Sequence, residues 1–157
     1  MNKHPINQSE IRHLQHRWAV LQSFLDVEND PAFSRSSGDS KEGRIYRGCK
    51  DGAIVTCRAL CERFGLPLQN TGNWKRYEPF APPFKTAIEG LLGSISMEEC
   101  EAIWTVLATA NKCVAHLDAT IPDHPVDARC LRVAIDLTKR LMLRKLADAN
   151  LPLGDFI

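Results

Sequence analysis

The amino-acid sequence predicts a single all-α domain, a bundle of four or five helices that spans residues 1–157. Apolar residues recur at spacings of three and four over long segments, which is the period of an amphipathic helix. No segment alternates apolar and polar residues, and no hairpin turn is recognisable. Since 157 residues can bury one hydrophobic core of ordinary size, the pattern requires no second domain.

The composition excludes several classes of protein. Hydrophobic residues make up 44% and charged residues 25% of the chain, and the formal net charge is +1. These values argue against a strongly basic nucleic-acid module, although they allow a local basic face. No apolar run approaches the ~20 residues that cross a bilayer, and the N-terminus carries no signal-peptide pattern. We therefore expect a cytoplasmic protein without a membrane partner.

Six cysteines occur, and none forms a C-x-x-C pair. In a reducing compartment we expect free, buried thiols and no disulfide framework. Cys57 and Cys61 lie one helical turn apart and could supply half of a zinc site. Buried thiols at core spacing explain the same pattern, so the sequence predicts no metal and no other cofactor.

The first helix is predicted to begin at Ser9, as N-cap, and to run to about Val27. Its apolar stripe consists of Ile11, Leu14, Trp18, Leu21 and Leu25. Pro31 ends it, because proline disfavours helix in the preceding residue. Residues 34–43 contain no apolar side chain and are predicted to form a mobile loop.

A second helix is predicted from about Asp51 to Gly65, where glycine provides a C-terminal cap. Residues 66–83 follow as a long irregular connection that is rich in turn formers. Within it, Trp74, Lys75, Arg76 and Tyr77 have the composition of a single-strand nucleic-acid contact. The alternative is that the two aromatic rings fix the connection onto the helices while the cations face water.

Three further helices complete the prediction. Pro82 and Pro83 suit the first turn of a short helix over residues 84–92, which Gly93 ends. Ser96 and Glu99 form a capping box for a helix that reaches about residue 117. The last helix covers roughly residues 126–149 and is so widely apolar that it should lie centrally or at a subunit interface. The tail, residues 151–157, is expected to pack back on the body.

Candidate catalytic residues lie on one polar stripe of a predicted helix. It lies opposite the core face of the penultimate helix and comprises Ala102, Thr105, Thr109, Lys112 and His116. In the last turn of that helix, the dipole favours the protonated form of His116, whereas Lys112 opposes it. A histidine that titrates near neutral pH can act as general acid or base. The alternative is a histidine that caps the helix or fills the core.

The segment Asn111-Lys112-x-x-Ala115-His116 resembles the signature of the HEPN superfamily, in which four to six residues separate an arginine from the histidine that follows it. Ala110 stands where that arginine is expected. The resemblance implies a HEPN-like bundle of four or five helices that often forms a homodimer. It also implies a metal-independent endoribonuclease of a toxin or defence type, or a non-catalytic relative, with RNA, an antitoxin or another protein as partner. On this interpretation His116 is the acid/base, while Asn111 and Lys112 orient or bind the phosphate.

The last helix adds four arginines near one face, and these are candidate phosphate contacts together with Trp74, Lys75 and Arg76. They are Arg129, Arg132, Arg140 and Arg144. Solvated charges on an amphipathic helix are the alternative.

Three functional hypotheses follow. The first is a HEPN-like protein that acts on or binds RNA, as a divergent or inactive ribonuclease. The second is a non-catalytic dimerisation or protein-interaction module that uses the face of Ala102, Thr105 and Thr109 with the last helix. The third is a small-ligand pocket between the helices near Trp104 and the connection that contains Trp74.

Overall fold

The computed structural model describes residues 6–66, 82–110 and 126–156, and within these ranges it contains helices and turns but no strand. The prediction of an all-α fold is therefore confirmed. The helices are α1 (Ile11–Asn29), α2 (Pro31–Ser34), α3 (Lys41–Arg63), α4 (Pro82–Leu92), α5 (Met97–Thr109) and α6 (Ala128–Asp148), with 3-10 turns at Gln8–Glu10 and Gly154–Phe156. None of these helices is long and apolar enough to cross a membrane.

The start of α1 differs from the prediction that Ser9 is its N-cap. Asn7 caps a 3-10 turn instead: its side chain accepts from the Ser9 backbone N–H at 3.0 Å, and Glu10 accepts from the Asn7 N–H at 3.1 Å. These two hydrogen bonds satisfy backbone N–H groups at the start of the 3-10 turn, which precedes the α-helix. Helix α1 itself therefore begins at Ile11.

The start of α3 is also corrected, because the helix begins at Lys41 and not near Asp51. Ser40 caps it by accepting from the Gly43 N–H at 2.9 Å. A Cβ on Gly43 would lie 1.9 Å from the Ser37 carbonyl oxygen, so the close approach of the preceding turn requires glycine there. With α2 ending at Ser34, only residues 35–40 separate the two helices, and the predicted loop 34–43 is shorter than expected. Its mobility stays a prediction.

The other predicted elements agree closely with the structure. Gly93 follows α4 with a φ of 81°, and Ser96 and Glu99 form the expected capping box of α5. Asp127 caps α6. Phe156 in the tail is 1% exposed and belongs to the core. The predicted extension of α5 to residue 117 lies outside the described residues, as does most of the connection 66–83.

The core lies between α1, α3, α5 and α6, and α6 contributes more of its fully buried side chains than any other helix of the described chain. Glu10, just before α1, pairs with Arg63 at the end of α3, while Glu28 near the end of α1 bonds Tyr46 near the start of α3. These two contacts show that α1 and α3 run antiparallel. The buried Thr138 of α6 donates to the Ala134 carbonyl at 2.7 Å, so this polar group is satisfied inside the core.

The cysteines of the described chain are free thiols: Cys49, Cys57, Cys61, Cys100 and Cys130. Burial raises the pKa of Cys61 to about 12 and that of Cys57 further still, although the Thr138 hydroxyl beside them opposes the rise. Across the described ranges, no three His, Cys, Asp or Glu side chains are grouped so that they could hold a metal ion.

Candidate functional site: a groove between α5 and α6

The residues that carry the HEPN resemblance lie outside the described ranges, so the structure gives no geometry for His116, Asn111 or Lys112. The same holds for Trp74, Lys75 and Arg76. The described helices nearest to His116 in the sequence are α5, which ends at Thr109, and α6, which begins at Ala128.

The four arginines of α6 do not form an array of unpaired cations. Arg132 donates to Asn29 at 2.8 Å and lies 3.5 Å from Glu28, both at the end of α1. Arg140 donates to Glu99 of α5 at 2.6 Å. Arg129 pairs with Glu98 at 2.7 Å, and Arg144 is exposed.

Three of these arginines therefore have a carboxylate partner from another helix, which offsets the positive potential that a phosphate backbone would meet. A further cation of this helix is also engaged, since Nζ of Lys139 lies 5.1 Å from the centre of the Trp18 ring. Glu28, Glu98 and Glu99 are brought to these arginines by other helices, so the acidic residues of α6 alone do not indicate the charge of this surface.

A groove of about 450 Å³ lies between α5 and the start of α6. One wall comes from α5 and the other from the residues around the first turns of α6. The α5 wall consists of Glu98, Glu101, Ala102, Trp104 and Thr105, and the α6 wall of Val126, Asp127, Arg129, Cys130 and Val133. The volume falls within the ~300–1,000 Å³ typical of ligand pockets.

The register of α5 follows from its capping box. Ser96 accepts from the Glu99 N–H at 3.1 Å, and Glu99 accepts from the Ser96 N–H at 2.7 Å. Starting there, spacings of three and four place Glu98, Glu101 and Thr105 on one face. Ala102 on this face is small enough for α6 to approach, and the Cys130 thiol lies 3.6 Å from its carbonyl oxygen.

Negative charge dominates the walls of the groove. Glu98 is neutralised by Arg129, whereas Glu101 has no ion pair among the residues that the structure describes. The Asp127 carboxylate accepts from the Cys130 N–H at 2.7 Å as the N-cap of α6. Burial, followed by the charges of Asp127 and Glu101, raises the pKa of the Cys130 thiol to about 11, and the charge of Lys50 opposes this rise. Both carboxylates thus act on the same point in the groove.

Trp104 contributes an unusual polar atom. Its indole Nε1 is buried, and within the described ranges no acceptor takes its hydrogen. Buried donors are normally paired, because an unmade hydrogen bond costs about 1–3 kcal/mol. Trp104 thus lines the groove, and its buried donor lacks an acceptor in the described chain. Cys130 and Val133 add half-buried apolar surface to the same groove.

Comparison with known proteins adds no relative: no family model, no curated protein and no solved structure matches this chain. The resemblance to the HEPN superfamily consequently stays a prediction.

The sequence located part of this groove. It predicted that Ala102 and Thr105 lie on a face opposite the core, and it placed a ligand pocket near Trp104 and the connection that contains Trp74. For Ala102 that prediction is wrong: the residue is 3% exposed, because α6 packs against this face and brings Cys130 to its carbonyl oxygen. It did not single out Glu101, Asp127, Cys130 or Val133. The spacing of Glu101 from Ala102 and Thr105 was a readable signal, but the pairing of this face with the start of α6 is a tertiary contact.

Proposed function

We propose that this protein is a non-catalytic binding module whose partner occupies the groove between α5 and α6. The observation that carries this proposal is the groove itself, which is lined by half-buried apolar surface and by two carboxylates, Glu101 and Asp127, that have no ion pair in the described chain. Binding sites in proteins combine such a mainly apolar lining with a few polar groups that fix orientation. This is the second of the three sequence-based hypotheses.

The charge distribution favours a protein partner over RNA. Three carboxylates and one guanidinium line the groove, and a polyanion would be repelled from such a surface. On the remaining face of α6, Arg132 and Arg140 are held by acids of α1 and α5. Both regions therefore disfavour phosphate contact on the described part of the chain.

A bulky side chain in the groove tests the proposal. Thr105 is half-buried in the α5 wall, and its hydroxyl donates to the Glu101 carbonyl at 2.8 Å. Ser23 on the exposed face of α1 makes the same bond to Ala19 at 2.9 Å and offers a matched control. In a selection from a display library of random short peptides, we expect binders that are retained by wild type and by Ser23→Trp but lost by Thr105→Trp.

The helical circular dichroism of all three proteins should be the same, so that loss of binding is not loss of fold. If no peptide distinguishes Thr105→Trp from Ser23→Trp, the groove is not a partner site. Sedimentation at micromolar concentration examines the homodimer version: Thr105→Trp should lower the apparent mass only if a second copy of the chain occupies the groove.

A HEPN-like function in RNA cleavage or RNA binding is the second candidate. One observation favours it: Ala102, Thr105 and Thr109 lie along α5 at the spacing that, continued in sequence, reaches Lys112 and His116. On this candidate His116 provides the acid/base, Asn111 and Lys112 contact the phosphate, and the family arginine is missing.

For this candidate we expect that His116→Ala abolishes RNA cleavage or cell toxicity and leaves the helical circular dichroism unchanged. Cleavage of a labelled RNA by purified protein without added metal is the direct assay. Equal cleavage by wild type and by His116→Ala would rule out the assigned acid/base.

A further inference from the structure

We propose that the groove recognises a short basic peptide segment, in which an arginine or lysine side chain meets Glu101 and Asp127 beside an apolar residue. This inference rests on the proposed binding function and names the class of partner. Its components are the charge of the groove and its apolar surface, which different residues provide.

The charge component comes from the two carboxylates that no cation neutralises. Glu98 already has Arg129 at 2.7 Å, so it adds little to the net field. Glu101 is exposed on the α5 wall, and Asp127 is exposed on the α6 wall. A cation between the two walls would be attracted by both, and because they belong to different helices, its position along the groove is defined.

The same carboxylates explain why the partner is not an anion. A phosphate or an acidic peptide would be repelled by both carboxylates. The guanidinium of Arg129 does not offset this repulsion, because it is already paired with Glu98. Lys50 is the cation from α3 whose charge reaches the groove, as its effect on Cys130 shows. One such cation does not reverse the sign of two carboxylates.

The apolar component distinguishes a peptide from a bare cation. Trp104, Cys130 and Val133 leave part of their surface open in the groove. An apolar side chain beside the cationic one would cover this surface, with a gain of about 25 cal/mol for each Å² removed from water. A metal ion or a simple amine cannot provide that contact.

The size of the groove also suits a peptide. A groove of about 450 Å³ is large enough for a few side chains but not for a folded domain. A short peptide segment therefore satisfies the cationic and apolar requirements together.

The experiment uses two libraries of random short peptides that are identical except for a fixed central residue, arginine in one and glutamate in the other. Each library is presented to wild type and to Thr105→Trp. We expect groove-dependent binders, which Thr105→Trp loses, in the arginine library and not in the glutamate library.

Neutral variants then test the two carboxylates with an arginine peptide taken from that library. Glu101→Gln keeps the shape of the side chain, and Asp127→Asn keeps an N-cap for α6. We expect each to weaken binding by about threefold to fivefold, the scale of an exposed ion pair, and added salt to weaken wild-type binding. Glu62→Gln, an exposed change of the same charge on α3, should leave the affinity unchanged.

The indole N–H resonance of Trp104, assigned by its disappearance in Trp104→Phe, reports occupancy of the groove. It should shift when the arginine peptide is added, because Trp104 lines the groove. A resonance that does not respond, equal binding of the glutamate library, or full affinity in both neutral variants would overturn the inference. If Thr105→Trp loses binders from either library, the proposed binding function stands even where this inference fails. If neither library yields binders that Thr105→Trp loses, both proposals fail.

Discussion

Helix α6 has two regions of opposite character. On one face, Leu131, Ile135 and Met142 are 0% exposed and belong to the core. On another face, over the first turns, Cys130 and Val133 keep part of their surface open in the groove. The apolar residues of one helix therefore provide a sealed core on one face and an open surface on the other.

The polar groups of the two regions differ in the same way. Where α1, α3 and α6 meet, the Tyr46 hydroxyl donates to Glu28 at 2.6 Å, and Arg132 lies 3.5 Å from the same carboxylate. At the groove, Glu101 lacks an ion pair among the described residues, and the buried N–H of the lining residue Trp104 lacks an acceptor there. Polar groups are satisfied within the protein in the first region and not in the second, which is why we propose the groove as the binding site.

The largest difference should appear on truncation of one side chain from each region. Leu131→Ala removes a fully buried side chain and should lower the free energy of unfolding by about 2–5 kcal/mol. Val133→Ala removes a half-buried one and should cost less than about 1 kcal/mol. Urea denaturation followed by circular dichroism measures both. Equal losses would mean that the groove is part of the closed core.

Removal of one polar group from each region should give a smaller effect. Tyr46→Phe deletes the hydroxyl bond to Glu28 and should cost about 1 kcal/mol. Trp104→Phe deletes a donor without a partner, so the loss of packing is offset and the change should stay within about 1 kcal/mol of zero. A Trp104→Phe variant that is much less stable than Tyr46→Phe would show that the indole N–H is bonded in the free protein.

The Tyr46 contact also predicts a dependence on alkaline pH. Burial, then the bond to Glu28, raise the pKa of Tyr46 from 10.0 to about 12. The folded state therefore holds this proton where the unfolded state loses it, and the stabilisation is complete below pH 10 and is lost as pH rises towards 12. Wild type should lose stability more steeply than Tyr46→Phe over that interval, as measured by urea titrations at each pH.

The smallest effect should separate two neighbouring glutamates of α5. Glu99 is 27% exposed and bonds Arg140, whereas Glu98 is 57% exposed and faces an Arg129 that is 81% exposed. Glu99→Gln keeps the capping box but loses the charge, and should cost about 1 kcal/mol at neutral pH. Glu98→Gln should have no measurable effect on stability.

The Glu99 difference has a defined pH window. The backbone N–H of Ser96, against the opposing effect of burial and with help from Arg140, holds the pKa of Glu99 below its usual 4.5. Its contribution is present above pH 4.5 and is lost as pH falls through the lower folded value. Wild type and Glu99→Gln should therefore become equally stable in acid, and a gap that persists there would assign the difference to shape rather than charge.

Local signals predicted much of the fold. The Ser96 and Glu99 capping box, the Gly93 stop and the apolar period of α6 all depend on residues within a few positions of one another. The prediction of the start of α3 was wrong, because residues 34–43 have no apolar side chain that would indicate a helix. The cap at Ser40 and the close approach of Gly43 to the Ser37 carbonyl exist only in the folded turn.

The candidate site was less accessible to sequence reasoning. Helical spacing placed Ala102 and Thr105 on one face, which is a property of one helix. Glu98 and Glu99 of α5 neutralise Arg129 and Arg140 of α6. These ion pairs can be predicted only if it is known which helices pack together. Charges counted along one helix therefore overestimated its basic character.

The buried thiols of Cys57 and Cys61 can report how often the core opens. Both thiols are at most 1% exposed, and burial raises their pKa far above neutrality, so in the native state they present no reactive thiolate. Alkylating reagents can modify them only while α3 and α6 separate. The rate at which these two cysteines become labelled under native conditions thus measures how often the core opens, without any denaturant.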